Sequence, residues 1–250
     1  MTLRLLTIGP SHYCEKARWA LEHARIPFVE ESHLPLVHWA FSMPRGSRTV
    51  PLLTGAGLAL VESRDIVSYA DEHAPNDARR LYAGSPEDRA RALSLERMFD
   101  DRLGPLARRL AYCFLVPRPA LFVKAFDGTA SSREKLALKH GHALLRKALG
   151  KAFKVSARAQ EKCVPQMDGL LDEIGVELGS NRYFVGDSFS AADLTFAALA
   201  SPILLPDELG AKVLHRKDLP DDLGAIVDRF RATRAGQHAL RVYREHRASA

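Results

Sequence analysis

The chain has 250 residues, and its 36 lysines and arginines against 30 aspartates and glutamates give a formal net charge of +6 at pH 7. Hydrophobic residues form 46% of the chain and charged residues 26%, which is typical of globular proteins and excludes long disordered, collagen-like and coiled-coil chains. No stretch free of charged residues reaches the roughly 18 residues of a membrane-crossing helix, so we expect no membrane span. The amino terminus does not resemble a secretory signal, and three cysteines cannot all pair. We therefore predict a cytoplasmic protein of one large or two modest domains.

The positive charge is concentrated in the later part of the chain. Residues 1–78 carry 7 basic and 9 acidic side chains, whereas residues 79–250 carry 29 basic and 21 acidic ones. The segment between Glu134 and Glu161 contains no acidic residue. Such a segment can bind nucleic acid, an anionic membrane or an acidic partner, but no nucleic-acid-binding motif accompanies it. We favour the exposed face of a helix and expect no nucleic-acid partner. The buried side of that helix is then predicted to be formed by Leu136, Leu138, Leu144, Leu145, Leu149 and Phe153.

The first part of the chain alternates strand and helix patterns. The apolar run Leu3–Ile8 predicts a strand that ends at a Gly-Pro turn. Apolar residues then recur at helical spacing, which predicts a helix over Cys14–Arg25 that ends before Pro27. The segment Phe28–Leu34 predicts a second strand.

A hairpin and a further helix complete this region. The runs Val50–Leu53 and Leu58–Val61 flank Gly55-Ala56-Gly57, which is a hairpin signal, and Ser63–His73 predicts a helix. We therefore predict a small α/β domain with a sheet of mixed direction.

Strand patterns stop after residue 77. Ser85 followed by Pro86 and two acids predicts a helix start, and Gly104-Pro105 predicts a kink in that helix. Further helices are predicted over Lys162–Leu178, Ala191–Leu199 and Leu223–Arg234. The remainder of the chain is thus predicted to be an all-helical bundle.

Three motifs carry a resemblance to a known family. The first is the segment Ser11–Arg18 at the start of the first helix. The second consists of Thr49–Leu53 with Val-Pro-Leu-Leu, then Leu60–Ile66 with Glu-Ser-Arg-Asp, then Tyr69. The third is the segment Phe184–Leu194 with its Ser-Ala-Ala-Asp capping box. Together they resemble cytosolic glutathione transferases of the serine type. The resemblance implies an α/β thioredoxin-like N-terminal domain (residues 1–78), a linker (79–86) and an all-α helical-bundle C-terminal domain (87–250). The region from about Val116 to Cys163 matches no part of the family pattern.

The resemblance also implies a glutathione site. The Val50–Pro51 peptide bond is expected to be cis, with the Val50 backbone pairing with glutathione like an added strand. Ser63 is expected to cap the following helix, whose N-terminus suits the γ-glutamyl carboxylate, and Glu62 to take the γ-glutamyl amine. Arg48 is the candidate for the glycine carboxylate of glutathione, with Arg45 as a rival.

Ser11 is the candidate catalytic residue. A hydroxyl at a helix start can hold the glutathione thiolate, although a plain helix cap is the alternative interpretation. In the tyrosine-using classes of the family the hydroxyl lies near Thr7, so we do not assign that role to Tyr13. Cys14 is a second possible sulfur contact, but we expect it to pack inward.

The remaining expectations concern the acceptor and the partners. An electrophile is expected between the domains, near His12, Tyr13 and Tyr112, and no metal site is expected. Further candidate lining residues are Phe99, Leu103, Arg108 and Phe114. Asp100 and Asp101 resemble a position from which a neighbouring subunit can approach the γ-glutamyl amine of glutathione, and a homodimer is expected. The function predicted is conjugation of glutathione, as co-substrate, to a hydrophobic electrophile. The alternatives are a non-catalytic binding module and a thiol oxidoreductase or peroxidase acting through Cys14.

Overall fold

A four-stranded mixed sheet forms the first layer of the molecule. The computed structural model describes residues 2–55, 57–82, 84–209 and 213–247. The strands are β1 (Leu3–Thr7), β2 (Phe28–Ser32), β3 (Leu52–Gly55) and β4 (Leu58–Leu60), in the order β2-β1-β3-β4. Strand β1 pairs parallel with β2 and antiparallel with β3, and β3 pairs antiparallel with β4. The predicted hairpin is confirmed, although Ala56 at its turn lies outside the described residues.

The α-helices in the described residues of this part are α1 (His12–His23), α2 (Trp39–Ser42) and α3 (Ser63–Glu72). Helix α1 ends two residues before the predicted bound because Arg25 adopts a left-handed conformation with φ of 54°. Strand β2 ends at Ser32 because the Leu34 N–H donates to the Glu134 carboxylate (3.3 Å) instead of to the sheet. The predicted mixed α/β architecture is confirmed.

All elements after residue 79 in the described part of the chain are helical. The longer helices are α4 (Pro86–Met98), α5 (Gly104–Leu115), α6 (Pro119–Asp127), α7 (Ser132–Ala152), α8 (Ala157–Leu178), α9 (Ala191–Leu204), α10 (Asp221–Ala232) and α11 (Arg234–His246). Ser85 caps α4 as predicted: its hydroxyl accepts from the Asp88 N–H, and its own N–H donates to the Asp88 carboxylate, both at 3.1 Å. Among the described residues, no helix is both long and apolar enough to cross a bilayer.

The predicted kink near Gly104-Pro105 takes the form of a wider turn. The segment Phe99–Leu103 is π-helical and joins α4 to α5. Pro105 has no N–H to donate, so the regular helical hydrogen-bond pattern cannot run through it. Phe99 and Leu103 are fully buried in the core, and neither lines the cavity between the two halves of the chain that is described below.

The basic segment forms most of α7, but its predicted buried side is partly wrong. Leu138 and Leu149, three turns apart on one face, are buried, whereas Leu136 and Leu144 are 61% and 74% exposed. Helix α7 packs mainly on α6, so one narrow face suffices for its contacts. Leu145 and Phe153 are only partly buried against the core.

One predicted helix divides into two. The Thr233 hydroxyl accepts from the Gly236 N–H (3.0 Å) and begins α11, so the predicted helix over Leu223–Arg234 becomes α10 and the start of α11. Helix α11 then packs on α9. Through this packing, Trp19 of α1 lies against Tyr243 and donates to the His246 carbonyl (3.3 Å).

The capping segment before α9 is buried as predicted. The Asp193 carboxylate accepts from the Ser190 N–H (3.1 Å) and hydroxyl (2.7 Å) and from the Phe184 N–H (3.1 Å). It also lies 3.0 Å from Nε2 of buried His238. Asp193 is therefore surrounded by donors inside the helical domain.

Candidate functional site

A cavity of about 930 Å³ is lined by both halves of the chain. The first half contributes the turn before α1, the start of α1 and the loop before β3, and the second half contributes parts of α5, α6 and α7. Of the predicted site residues, those lining it are Ser11, His12, Tyr13, Arg48, Val50 and Tyr112, together with Arg108 and Phe114. Pro51, Glu62 and Ser63 do not line this cavity.

Ser11 lies immediately before α1 with its side chain free of the helix cap. Its backbone is extended (φ −76°, ψ 123°), and its side chain makes no capping hydrogen bond. Its backbone N–H donates to the Ile8 carbonyl (2.9 Å), and its carbonyl accepts from the Glu15 N–H (2.8 Å). The alternative that the hydroxyl serves as a plain helix cap therefore does not describe this structure.

Cys14 packs inward, as predicted. Its side chain is fully buried and does not line the cavity. Burial raises the pKa of the Cys14 thiol to about 11, and contacts with the Ser11 side chain and the Ile8 backbone offset part of that rise. The thiol is thus protonated at neutral pH and shielded from ligands, which disfavours a redox role.

The loop before β3 presents backbone groups to the cavity. The Val50–Pro51 peptide bond is cis, as the resemblance implied. Val50 lines the cavity, and its N–H and C=O have no backbone partner among the described residues. Helix α2 fixes this loop, because the Trp39 indole N–H donates to the Arg48 carbonyl (2.9 Å).

The structure separates the two candidate arginines of this loop. The Arg45 guanidinium pairs with the Glu31 carboxylate at 2.7 Å. Arg48 is exposed, lines the cavity and has no side-chain partner among the residues described. Arg48 is therefore the better placed of the two to bind a ligand carboxylate.

The start of α3 differs from the prediction by one residue. Glu62, rather than Ser63, occupies the N-cap position, with φ −105° and ψ 136°, and its carbonyl accepts from the Ile66 N–H (3.2 Å). Ser63 is the first helical residue and is buried. Its backbone N–H still belongs to the first turn, where helical N–H groups lack partners within the helix.

His12 and Tyr13 join the start of α1 to the junction of α4 and α5. The His12 Nε2–H donates to the Gly104 carbonyl (3.0 Å), and burial, assisted by the charge of Arg108, lowers the pKa of His12 to about 3. The Tyr13 hydroxyl donates to the Asp100 carbonyl (2.9 Å), and burial raises the pKa of Tyr13 to about 12. A Cβ on Gly104 would fall 2.2 Å from that hydroxyl, so a larger residue here would displace the Tyr13 ring.

Aromatic rings cover the side of the cavity formed by α5 and α7. Tyr112 stacks on Phe153 with ring centres 4.3 Å apart, and burial raises the pKa of Tyr112 to about 12. The Arg108 guanidinium lies 5.7 Å from the Tyr13 ring centre and 5.3 Å from that of Phe153. This wall is apolar apart from one cation.

A buried ion network lies beside the cavity. The Lys16 ammonium is fully buried and lies 2.9 Å from carboxylate oxygens of both Glu96 and Asp100. Asp100 also accepts from Arg64 (3.3 Å), and Glu96 accepts from the Tyr82 hydroxyl (2.6 Å). The Asp100 carboxylate is thus engaged by cations of its own chain, and the expected approach of a neighbouring subunit from this position stays a prediction. The homodimer itself stays a prediction.

Sequence reasoning missed two features of this site. Lys16 and Glu96 belong to no sequence motif, because the two paired residues lie 80 positions apart, in different helices. The cover formed by α6 and α7 fell in the segment without family resemblance, although the apolar Phe153 within a basic run was a signal. Thr129 of that cover packs so closely on Gly9 that a Cβ there would lie 2.2 Å from it.

Solved structures with the same fold come from bacteria and plants. A possible glutathione S-transferase from Rhodopseudomonas palustris is 17% identical, with 99% of this chain and 96% of that chain covered and a TM-score of 0.58. Glutathione transferase F2 from Populus trichocarpa is also 17% identical, with 97% and 99% covered and a TM-score of 0.56. A glutathione S-transferase from Methylobacterium radiotolerans, solved in complex with glutathione sulfonate, is 19% identical, with 96% and 95% covered and a TM-score of 0.55. No curated protein matches the chain in sequence.

Two models of one family match the sequence itself. The glutathione S-transferase N-terminal domain matches residues 5–78, and the glutathione S-transferase C-terminal domain matches residues 138–221. Together they span more than half of the chain, in the order in which the sheet domain and the helical domain occur. The chain belongs to the glutathione S-transferase family.

Proposed function

We propose that the protein conjugates glutathione to a hydrophobic electrophile, with Ser11 holding the glutathione thiolate. The observation that carries this proposal is the Ser11 hydroxyl, which lies at the start of α1 on the wall of the cavity without a capping role. Tyr13 is a poor competitor for the sulfur, because its hydroxyl donates to Asp100.

The energy needed to form the thiolate is within reach of this arrangement. A thiol with a pKa of about 8.5 is only a few per cent ionised at pH 7, and lowering that pKa by two units requires about 2.7 kcal/mol. One hydrogen bond to a charged group contributes roughly 1.5–3 kcal/mol, and a helix N-terminus adds about 0.3–1 kcal/mol. One hydroxyl at the start of α1 is therefore sufficient.

The reaction follows from an activated thiolate facing an apolar cavity. The thiol proton passes to solvent, and the sulfur attacks the electrophilic carbon of the acceptor. A carbon–sulfur bond forms while the bond to the leaving group breaks, and the leaving group departs with its electron pair. The aromatic wall around Tyr112 and Phe153 suits an apolar acceptor body.

Glutathione is proposed to lie along the loop before β3. The unpartnered Val50 backbone would pair with the peptide, and Arg48 would bind its glycine carboxylate. Glu62 and the first turn of α3 at Ser63 would take the γ-glutamyl amine and carboxylate. The complex of the Methylobacterium radiotolerans structure with glutathione sulfonate supports a ligand of this class.

The test compares Ser11→Ala with Cys14→Ala. Retention on immobilised glutathione and turnover of chlorodinitrobenzene are measured for each variant, with thermal melting as a control for folding. We expect Ser11→Ala to lower turnover at least tenfold, with retention and melting little changed, and Cys14→Ala to lower it far less.

Two outcomes would overturn the proposal. If Cys14→Ala alone abolished turnover, the sulfur contact would be Cys14 rather than Ser11. If the unaltered protein neither bound glutathione nor turned over the electrophile, a non-catalytic binding role would replace conjugation.

A further inference from the structure

Among the described residues, Arg108 on the wall of the cavity has no carboxylate partner. Most partly buried arginines of the described residues pair with a carboxylate, and the others, Arg79, Arg146 and Arg231, donate to backbone carbonyls. Arg108 does neither within the described part of the chain. Its contacts are the faces of the Tyr13 and Phe153 rings.

Ring contacts compensate only part of the cost of this placement. A guanidinium over an aromatic ring gains roughly 0.5–2 kcal/mol, whereas a carboxylate would also satisfy its fork of N–H donors. The two carboxylates that line the same cavity, Glu15 and Glu30, are already paired with Arg18. Arg108 thus keeps its donors available on an otherwise apolar wall.

Arg108 lies near the end of the cavity at which Ser11 is placed. It lies close enough to His12, the neighbour of Ser11, for its charge to lower the pKa of that ring. Because His12 is held neutral, it adds no second cation there. An acceptor whose apolar body lies against Tyr112 and Phe153 would place an attached anionic group within reach of the Arg108 guanidinium.

We infer that the natural acceptor carries an anionic group, such as a carboxylate, on an aromatic or unsaturated apolar body, and that Arg108 selects it. This inference rests on the proposed function, since it names the substrate class of the same site. It separates Arg108 from Arg48, which is placed to bind glutathione itself.

The probes are a chloronitrobenzoate and its methyl ester. In both, the ring carbon that carries chlorine is activated by the nitro group, and the carboxylate or ester lies para or adjacent to that carbon. With either probe the thiolate displaces chloride from the ring, so a carbon–sulfur bond forms and chloride leaves with its electron pair. The two differ in one negative charge. Each kcat/KM is divided by the rate of the same probe with glutathione alone, because the ester activates the ring more strongly than the carboxylate does.

The variants are Arg108→Leu, Arg108→Lys and the control Arg109→Leu, which removes an equal charge from the exposed neighbouring position. In the unaltered protein we expect the normalised rate to favour the acid. In Arg108→Leu the ratio of the normalised rates of acid and ester should fall at least tenfold. In Arg108→Lys the fall should be smaller, because the lysine ammonium keeps the positive charge but lacks the planar fork of guanidinium N–H donors. Arg109→Leu should leave the ratio unchanged.

Calorimetric binding of the two glutathione conjugates supplies a readout independent of turnover. We expect the carboxylated conjugate to bind at least tenfold more tightly than the ester conjugate, and Arg108→Leu to remove that difference. Equal rates and equal affinities for acid and ester, or an equal loss for both in Arg108→Leu, would overturn the inference while leaving the proposed function intact. Failure of the protein to bind glutathione would overturn both.

Discussion

Lys16 and Arg108 are both cations that lie between the two domains, but they differ in their partners. Lys16 is fully buried and lies 2.9 Å from two carboxylates, one of which receives a further hydrogen bond from Tyr82. Arg108 is partly buried against rings and has no carboxylate partner among the described residues. The first cation is fully used in holding the domains together, whereas the second keeps its donors for a ligand.

The different surroundings of Lys16 and Arg108 distinguish a structural charge from a charge that can bind a ligand. A charge removed from water is tolerated when partners from the chain itself replace the lost hydration. Where the chain supplies only aromatic faces, a ligand can supply the missing anion. The comparison therefore predicts opposite consequences for the loss of these two cations.

The largest effect is expected from Lys16→Met. This change leaves Glu96 and Asp100 buried without their shared cation, and breaking a buried pair in this way costs about 3–5 kcal/mol. The free energy of unfolding in urea measures the loss. Lys139→Met, at an exposed position of α7, serves as the control, and Arg108→Leu should lower stability by no more than about 2 kcal/mol. Equal losses in Lys16→Met and Arg108→Leu would show that the two cations contribute alike to stability.

A smaller effect is expected from Asp193→Ala, which tests a buried carboxylate that does not line the cavity. Removing its carboxylate leaves the N–H groups of Phe184 and Ser190 and the ring of His238 without their acceptor. Buried donors left unsatisfied cost about 1–3 kcal/mol. Urea unfolding that matches the unaltered protein would contradict this assignment and show that the helical domain tolerates such a loss.

The smallest effect concerns pH and involves His12, the neighbour of Arg108. Burial and the charge of Arg108 lower the pKa of His12 to about 3 in the folded protein, compared with the ordinary value of 6.5. Below pH 6.5 the unfolded chain therefore binds a proton that the folded chain does not, and stability falls as pH falls. This residue alone should remove about 1.5 kcal/mol between pH 6.5 and pH 5.

The measurement is the free energy of unfolding at several pH values, compared with that of His12→Gln. The glutamine variant should show a flatter dependence over the same range, since glutamine does not titrate. An identical slope in both proteins would show that His12 does not remain neutral when folded.

Sequence reasoning predicted the local elements better than the contacts between them. The capped start of α4 at Ser85 and the buried Asp193 were predicted correctly, because both patterns are complete within four residues. The buried side of α7 was partly wrong, since Leu136 and Leu144 fit a helical period but face solvent. Periodicity can identify a helix, but the number of neighbours decides how many of its leucines are buried.

The candidate site shows the same division. The positions of Ser11, Val50 and Arg48 on one cavity follow from motifs that could be read along the chain. The choice of Arg48 over Arg45 required the Glu31 pair, and the engagement of Asp100 required Lys16. Both depend on ion pairs between separate elements, which carry no local pattern.

The two-part architecture and the family could be predicted from the amino-acid sequence, because strand and helix periodicities, caps and turn residues act over short stretches. Only the tertiary structure decided which charges are satisfied. It pairs Lys16 with carboxylates from α4 and the α4–α5 junction, and it leaves Arg108 on an aromatic wall. The physical reason is that the free energy of a charge depends on its partners and its distance from water, and folding brings those together from distant parts of the chain.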